Sequence, residues 1–329
     1  MKTVQLQAAY KDYLWGGTKL REEYGKVVDL ERIAESWELS NHEAGESIIL
    51  NGPYKGETFG TYLKAVSKEV LGNHCETFED FPILIKFIDA KAALSIQVHP
   101  DDIYALEKEH SYGKTEMWYI LSCDENAFLY YGVNQSLTPE AFKAHIENNT
   151  VTDVLNKVYV KPGDVFFIEA GTIHDIGEGI VICEIQQNSN LTYRVYDYNR
   201  KDAKGQARPL HVEQALEVCK LEPERSMSER ENDLSSNDLL KNEESALGNE
   251  IKPLASCKYF TTTLCKVSES YQVEMAPTSF KSIIILEGTG HLKENEETLA
   301  FKKGDSFFIP ATASDVRIEG KCQFIVTQV

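Results

Sequence analysis

The 329-residue sequence has no CxxC pair, no long apolar run and a deficit of positive charge. Its seven cysteines (Cys75, Cys123, Cys183, Cys219, Cys257, Cys265 and Cys322) are odd in number and widely scattered. That spacing argues against a disulfide framework or a zinc knuckle and for reduced, buried thiols. No window approaches the roughly 18 apolar residues of a membrane span. The opening stretch, MKTVQLQAAYKDYLWGG, lacks the apolar core of a secretory signal, so a soluble, cytoplasmic protein is expected. With 34 basic against 52 acidic residues the formal charge is -18. Such a field repels nucleic acid and anionic membranes, so any anionic ligand must meet locally placed Lys or Arg.

What the sequence does have is a repeat. Gly163-Asp164-Val165-Phe166-Phe167-Ile168 recurs as Gly304-Asp305-Ser306-Phe307-Phe308-Ile309. The first copy runs on to His174, where the second has Asp315. Two related β-domains are therefore expected, with the chemistry in the first. Strand-like runs at Ile83–Ile88, Leu94–His99, Met117–Leu121, Phe128–Tyr131, Val165–Ile168, Ile180–Ile185, Ser282–Leu286, Ser306–Ile309 and Gln323–Thr327 are separated by Gly, Pro, Asn and Asp turns. Short strands so spaced predict a mainly β sandwich or barrel with few helices. One helix signal is Thr138-Pro139-Glu140, an N-cap followed by Pro at the first helical position. The expected division is a domain over 1–220, a polar acidic connector over 221–250 able to carry one amphipathic helix around Leu234 to Leu247, and a smaller barrel over 251–329.

Alternation along Ser95-Ile96-Gln97-Val98-His99 puts Ser95, Gln97 and His99 on one strand face, and Lys114 and Glu116 share a face in the same way. His174 follows a Gly171-Thr172 turn. A barrel interior lined by Gln97, His99, Glu116 and His174 needs a polar guest, and a divalent metal satisfies all four. Two imidazoles, a carboxylate and an amide oxygen suit zinc, with Fe, Mn, Co or Ni left open. Glu184 and Gln186 share another strand face, and Lys114, Arg194 and Arg200 supply the local cations a phosphorylated ligand requires.

The segments SIQVHPDD (Ser95 to Asp102), GKTEMWYIL (Gly113 to Leu121), GTIHDIG (Gly171 to Gly177) and EIQQNSNLTYRVYDYNR (Glu184 to Arg200) resemble type I mannose-6-phosphate isomerases, in the short bacterial form of that cupin family. Trp15-Gly16-Gly17, Glu35-Ser36-Trp37-Glu38 and Phe81 to Ala90 extend the resemblance over most of residues 1–212. It implies two cupin-type jelly-roll barrels and an enzyme interconverting mannose 6-phosphate and fructose 6-phosphate. It implies one zinc ion per chain on Gln97, His99, Glu116 and His174, with Arg194 as the active-site arginine. Ser95, Lys114, Glu184 and Arg200 fall on positions that the family places around the sugar phosphate. An enediol mechanism then needs a proton carrier, for which Glu184 and Lys114 compete, since arginine holds its proton too firmly.

Two features depart from the common cupin pattern. Glu169 stands where Pro is usual, and the spacing of His99 from Glu116 implies an inserted segment around Tyr104 to Tyr112. The second copy keeps Pro310, but Asp315 replaces the histidine and Lys281 aligns with Glu116, so no metal is expected there. Two competing readings are an iron-dependent cupin oxygenase and a sugar-phosphate sensor without turnover. The sequence sets neither the oligomeric state nor the role of the second barrel.

Overall fold

The computed structural model describes residues 2–201, 204–223, 243–244 and 248–329. Strands dominate it, and nearly every predicted run is one, usually extended by a residue or more. The helix Pro139–Glu147 starts as predicted: Thr138 accepts from the Ala141 amide, and Phe142 and Ile146 are buried. The insert is also helical, over Asp102–Glu109, capped by Asp101 and ended by His110 in the left-handed region. Most of the predicted connector helix, Leu234 to Leu247, lies outside the described residues. The described pair Glu243–Glu244 is extended, paired with Ile251 and Glu250, which corrects that expectation at its C-terminal end.

A six-stranded antiparallel sheet runs in the order Val165–Ile168, Glu116–Cys123, Ile180–Gln187, Ile83–Ala90, Glu35–Leu39, Ala9–Lys11. Its two faces divide the apolar residues by parity. Ile180 and Ile182 join Trp118, Ile120 and Ile88 in the interior of the first barrel. Val181, Cys183 and Ile185 join Met117 and Tyr119 in a larger cluster that includes Phe280, Phe308 and Leu254 of the second barrel. The opposite layer of the first barrel contains Ile96–Val98 paired with Tyr193–Tyr196, and Phe128–Val133 paired with Leu155–Tyr159. Ile96 and Val98 face outward into a cluster with Phe142, Ile146 and Ala215, so the flanking helices Pro139–Glu147 and Val212–Val218 cover that side.

The repeat is structural. Gly163 and Gly304 sit at φ 91° and 90°. Their amides donate to Ile120 O and Ile285 O, both at 2.8 Å. Asp164 and Asp305 accept from the Lys161 and Lys302 amides, both at 2.9 Å. Ile168 pairs with Glu116, and Ile309 with Lys281, the alignment read from the sequence. The apolar run of the second copy splits by face: Phe307 and Ile309 fill the second barrel, while Phe308 packs between the barrels.

The barrels are not separate along the chain. Val4–Gln7 pairs with Ser306–Ile309 on one side and Ile48–Ile49 on the other, so the first strand lies in the sheet of the second barrel.

Candidate active site

Four segments converge inside the first barrel. Gln97 and His174 exchange backbone hydrogen bonds, each at 2.9 Å, and Gln97 also pairs with Arg194. The Gly171 amide donates to His99 O at 2.8 Å, which fixes the turn leading to His174 against the strand that carries Gln97 and His99. Glu116 approaches from the facing sheet, where Gln186 is its cross-strand neighbour. His99, Glu116 and His174 are all buried.

The imidazoles are oriented by their Nδ1 atoms, which donate to Leu191 O and Thr172 O at 2.8 Å each. Each Nε2 lone pair is thereby aimed inward. His174 Nε2 lies 3.3 Å from Glu116 Oε1, and His99 Nε2 lies 3.9 Å from Glu116 Oε2. The Gln97 carboxamide reaches to 3.5 Å from His174 Nε2, and a rotation of that amide exchanges its oxygen and nitrogen. Burial and the Lys114 ammonium push the His99 pKa well below its ordinary value. Burial alone would raise the Glu116 carboxyl, but Lys114, His99 and His174 hold it well below the usual range. Ligand atoms of His99, Glu116 and His174 lie within 4.8 Å of one another, the one such group of three found among the described residues. Both Glu116 oxygens are buried without a hydrogen bond of ordinary geometry, and Oε2 is in contact with the Lys114 ammonium, so the carboxylate already faces positive charge. Two inward nitrogens and two oxygens fit zinc.

A cleft of about 330 Å³ opens beside this cluster, lined by Ser95, Gln97, Lys114, Glu184 and Arg194 among the predicted residues. It is also lined by Trp37, Lys86, Asn190, Thr192 and Arg208, which the sequence reading did not single out. Across the sheet, Trp37, Lys86, Glu184 and Trp118 sit in one row. Glu184 Oε2 accepts from Trp118 Nε1 at 3.0 Å, while Oε1 lies 3.2 Å from Lys86 Nζ and 3.8 Å from Lys114 Nζ. Burial opposes the Lys86 charge, but Glu35 and Glu184 more than offset it and raise its pKa. The signal for Lys86 was a lysine inside the otherwise apolar run Ile83–Ile88.

Arg200, which the resemblance places near the sugar phosphate, lies outside the lining of this cleft: its guanidinium bonds Asp197 and the carbonyl of Ala93. Tyr198 and Asn199, both at positive φ, turn the chain back there. Arg208 lines the cleft beside Arg194, held on Asp197 by bonds of 2.8 and 2.6 Å. Arg194 donates to Pro209 O at 2.8 Å and keeps a buried Nε without a partner.

Fold and site together define a cupin enzyme with a candidate metal centre at the base of a cation-lined cleft. The chain belongs to the type I mannose-6-phosphate isomerase family. Residues 3–120 match the family model of the phosphomannose isomerase type I catalytic domain, and residues 250–329 that of the mannose-6-phosphate isomerase cupin domain. The chain is 36% identical to mannose-6-phosphate isomerase ManA of Bacillus subtilis over 97% of its length and 96% of the relative's. It is 35% identical to the mannose-6-phosphate isomerase of Streptococcus mutans over 98% of its length and 96% of that protein's. A crystal structure of the mannose 6-phosphate isomerase from Bacillus subtilis superposes with a TM-score of 0.89 at 34% identity, covering 100% of both chains. A putative mannosephosphate isomerase from Archaeoglobus fulgidus shares the fold at a TM-score of 0.75 and 21% identity, covering 99% of this chain and 97% of its own. Family membership sets aside the oxygenase and the sensor.

Proposed function

We propose that this chain is a zinc-dependent aldose-ketose isomerase that interconverts D-mannose 6-phosphate and D-fructose 6-phosphate through an enediol. The observation that carries the reading is the buried cluster of His99, Glu116 and His174, with half-buried Gln97 against it, beside a cleft that holds Lys86, Lys114, Glu184, Arg194 and Arg208. One zinc ion on those four side chains would supply Lewis-acid polarisation of the sugar oxygens.

The chain's own groups divide the remaining work. Isomerisation moves one proton between C1 and C2 of the sugar. Glu184 Oε1 is a buried carboxylate oxygen set beside two lysines, 3.2 Å from Lys86 Nζ and 3.8 Å from Lys114 Nζ, and we assign it as the group that takes and returns that proton. Its other oxygen is fixed by Trp118, so the carboxylate cannot swing away. Lys114, between Glu116 and Glu184, is placed to hold the oxygen that becomes negative in the enediolate. Arg194, Arg208 and Ser95 line the outer cleft, and we assign them to the phosphate and sugar hydroxyls. A cytoplasmic location accords with seven free cysteines.

A coupled assay following mannose 6-phosphate to fructose 6-phosphate before and after chelation tests the activity, with loss on chelation and recovery on adding zinc expected. For the base, Glu184→Gln in deuterated buffer should stop deuterium entry at C2. Continued entry in that variant would move the proton to Lys114.

A further inference from the structure

One hydrogen-bonded path joins the second barrel to the segment that carries Lys114. Its hairpin between Glu250–Ser256 and Thr261–Val267 projects Tyr259 onto the first barrel, where the phenol donates to Asp102 Oδ2 at 2.7 Å. Asp102 begins the inserted helix, and its other oxygen accepts from the Gly113 amide at 2.9 Å and from Gln187 Nε2 at 2.8 Å. Gln187 Oε1 in turn accepts from the Thr115 amide at 2.9 Å, and the Lys114 amide between them donates to Pro100 O at 3.0 Å. Three successive amides, those of Gly113, Lys114 and Thr115, are thus clamped, two of them by side chains that meet at Asp102. The clamp is close: a Cβ at Gly113 would collide with the Asp101 and Asp102 backbone.

Glu116 does not need this clamp, because it is paired with Ile168 and Gln186 on either side. Lys114 lies just before that ladder, and its ammonium reaches into the site from the clamped segment. We infer that Tyr259 of the second barrel is a positioning residue for Lys114, acting through Asp102. This rests on the reading that Lys114 works in the isomerisation. A small displacement of a working group is enough to slow turnover strongly.

The test is a double-mutant cycle with an independent structural readout. Tyr259→Phe should lower kcat about tenfold with KM within about twofold and zinc content unchanged. In an Asp102→Ala background the same change should cost nothing further, and Asp102→Asn, which can still bridge its partners, should recover most of the loss. Amide hydrogen exchange over residues 111–116 should quicken in Tyr259→Phe while that of Ile180–Gln187 stays put. Equal costs of Tyr259→Phe in both backgrounds, or unchanged exchange over 111–116, would overturn the inference. If the wild-type protein does not isomerise mannose 6-phosphate, the functional reading fails, and the exchange measurement alone decides whether Tyr259 holds the segment.

Discussion

Lys114 and Glu116 are two positions apart, Glu116 opening its strand and Lys114 just before it, and the proposal gives them different work. Lys114→Ala and Arg194→Ala are each expected to reduce kcat by at least a hundredfold, of the order that loss of an electrostatic stabiliser costs, while zinc per chain stays near one by atomic absorption. Loss of metal in either variant would refute that division. His174→Ala should lose both metal and activity, and Asp315→Ala neither, because Asp315 sits on the outside of the second barrel and accepts from the Met275 amide. Beside His174, burial raises the Asp175 carboxyl to about 6, against hydrogen bonds from Tyr198 and Tyr130 that favour its charge. A carboxyl raised on folding stabilises the fold when protonated, so this contribution is full below its unfolded value near 3.8 and is lost as pH rises through about 6. Relative to Asp175→Asn, metal-free wild type should therefore lose about 2 kcal/mol between pH 4 and pH 7 in denaturant titrations. Strand parity made Gln97, His99 and Glu116 legible in the sequence, because a period of two needs no knowledge of the partner strand. Lys86 and Arg208 were not, since one is a single cation in an apolar run and the other lies in a loop without periodicity. The orientation of Arg200 was not legible either: two left-handed residues before it reverse the chain, and side-chain spacing alone does not reveal a reversal.

Among the elements, the two Gly-Asp turns offer a matched comparison. Gly163 and Gly304 have nearly the same positive φ, so an alanine suffers the same backbone strain at either, on the order of 1 kcal/mol. Their surroundings differ. A Cβ at Gly163 meets only Tyr119 Oη at 3.8 Å, whereas one at Gly304 collides with the carbonyl oxygen of Tyr24. Gly304→Ala is expected to lower the thermal midpoint clearly more than Gly163→Ala, and equal shifts would mean the Tyr24 segment yields freely. The turn sequence announced the repeat and its register, including Lys281 opposite the position of Glu116. The short N-terminal strands gave no comparable signal, because a four-residue strand such as Val4–Gln7 owes its place to a partner remote in sequence.

For the whole molecule, the shared apolar layer matters most. Phe308 is fully buried, with ring centroids 5.0 Å from Phe59 and 5.2 Å from Phe280. Phe308→Ala should destabilise the protein by about 3–5 kcal/mol, read from urea unfolding, with kcat of the folded enzyme at 25 °C unchanged. The same boundary contains Lys26, whose buried ammonium bonds Glu38 at 2.7 Å and also reaches Gly304 O. That two barrels exist was legible in the sequence. That they share a layer was not, because Phe307, Phe308 and Ile309 read as one apolar run until the pleat sends Phe308 the other way. The strand Val4–Gln7 carries a further consequence, one of timing. Its partner, Ser306–Ile309, leaves the ribosome about 300 residues later, roughly 15–60 s at ordinary rates of synthesis. Through that interval Val4–Gln7 waits for a strand made some 300 residues after it, so it takes its place in the second barrel's sheet only after the whole first barrel has been synthesised.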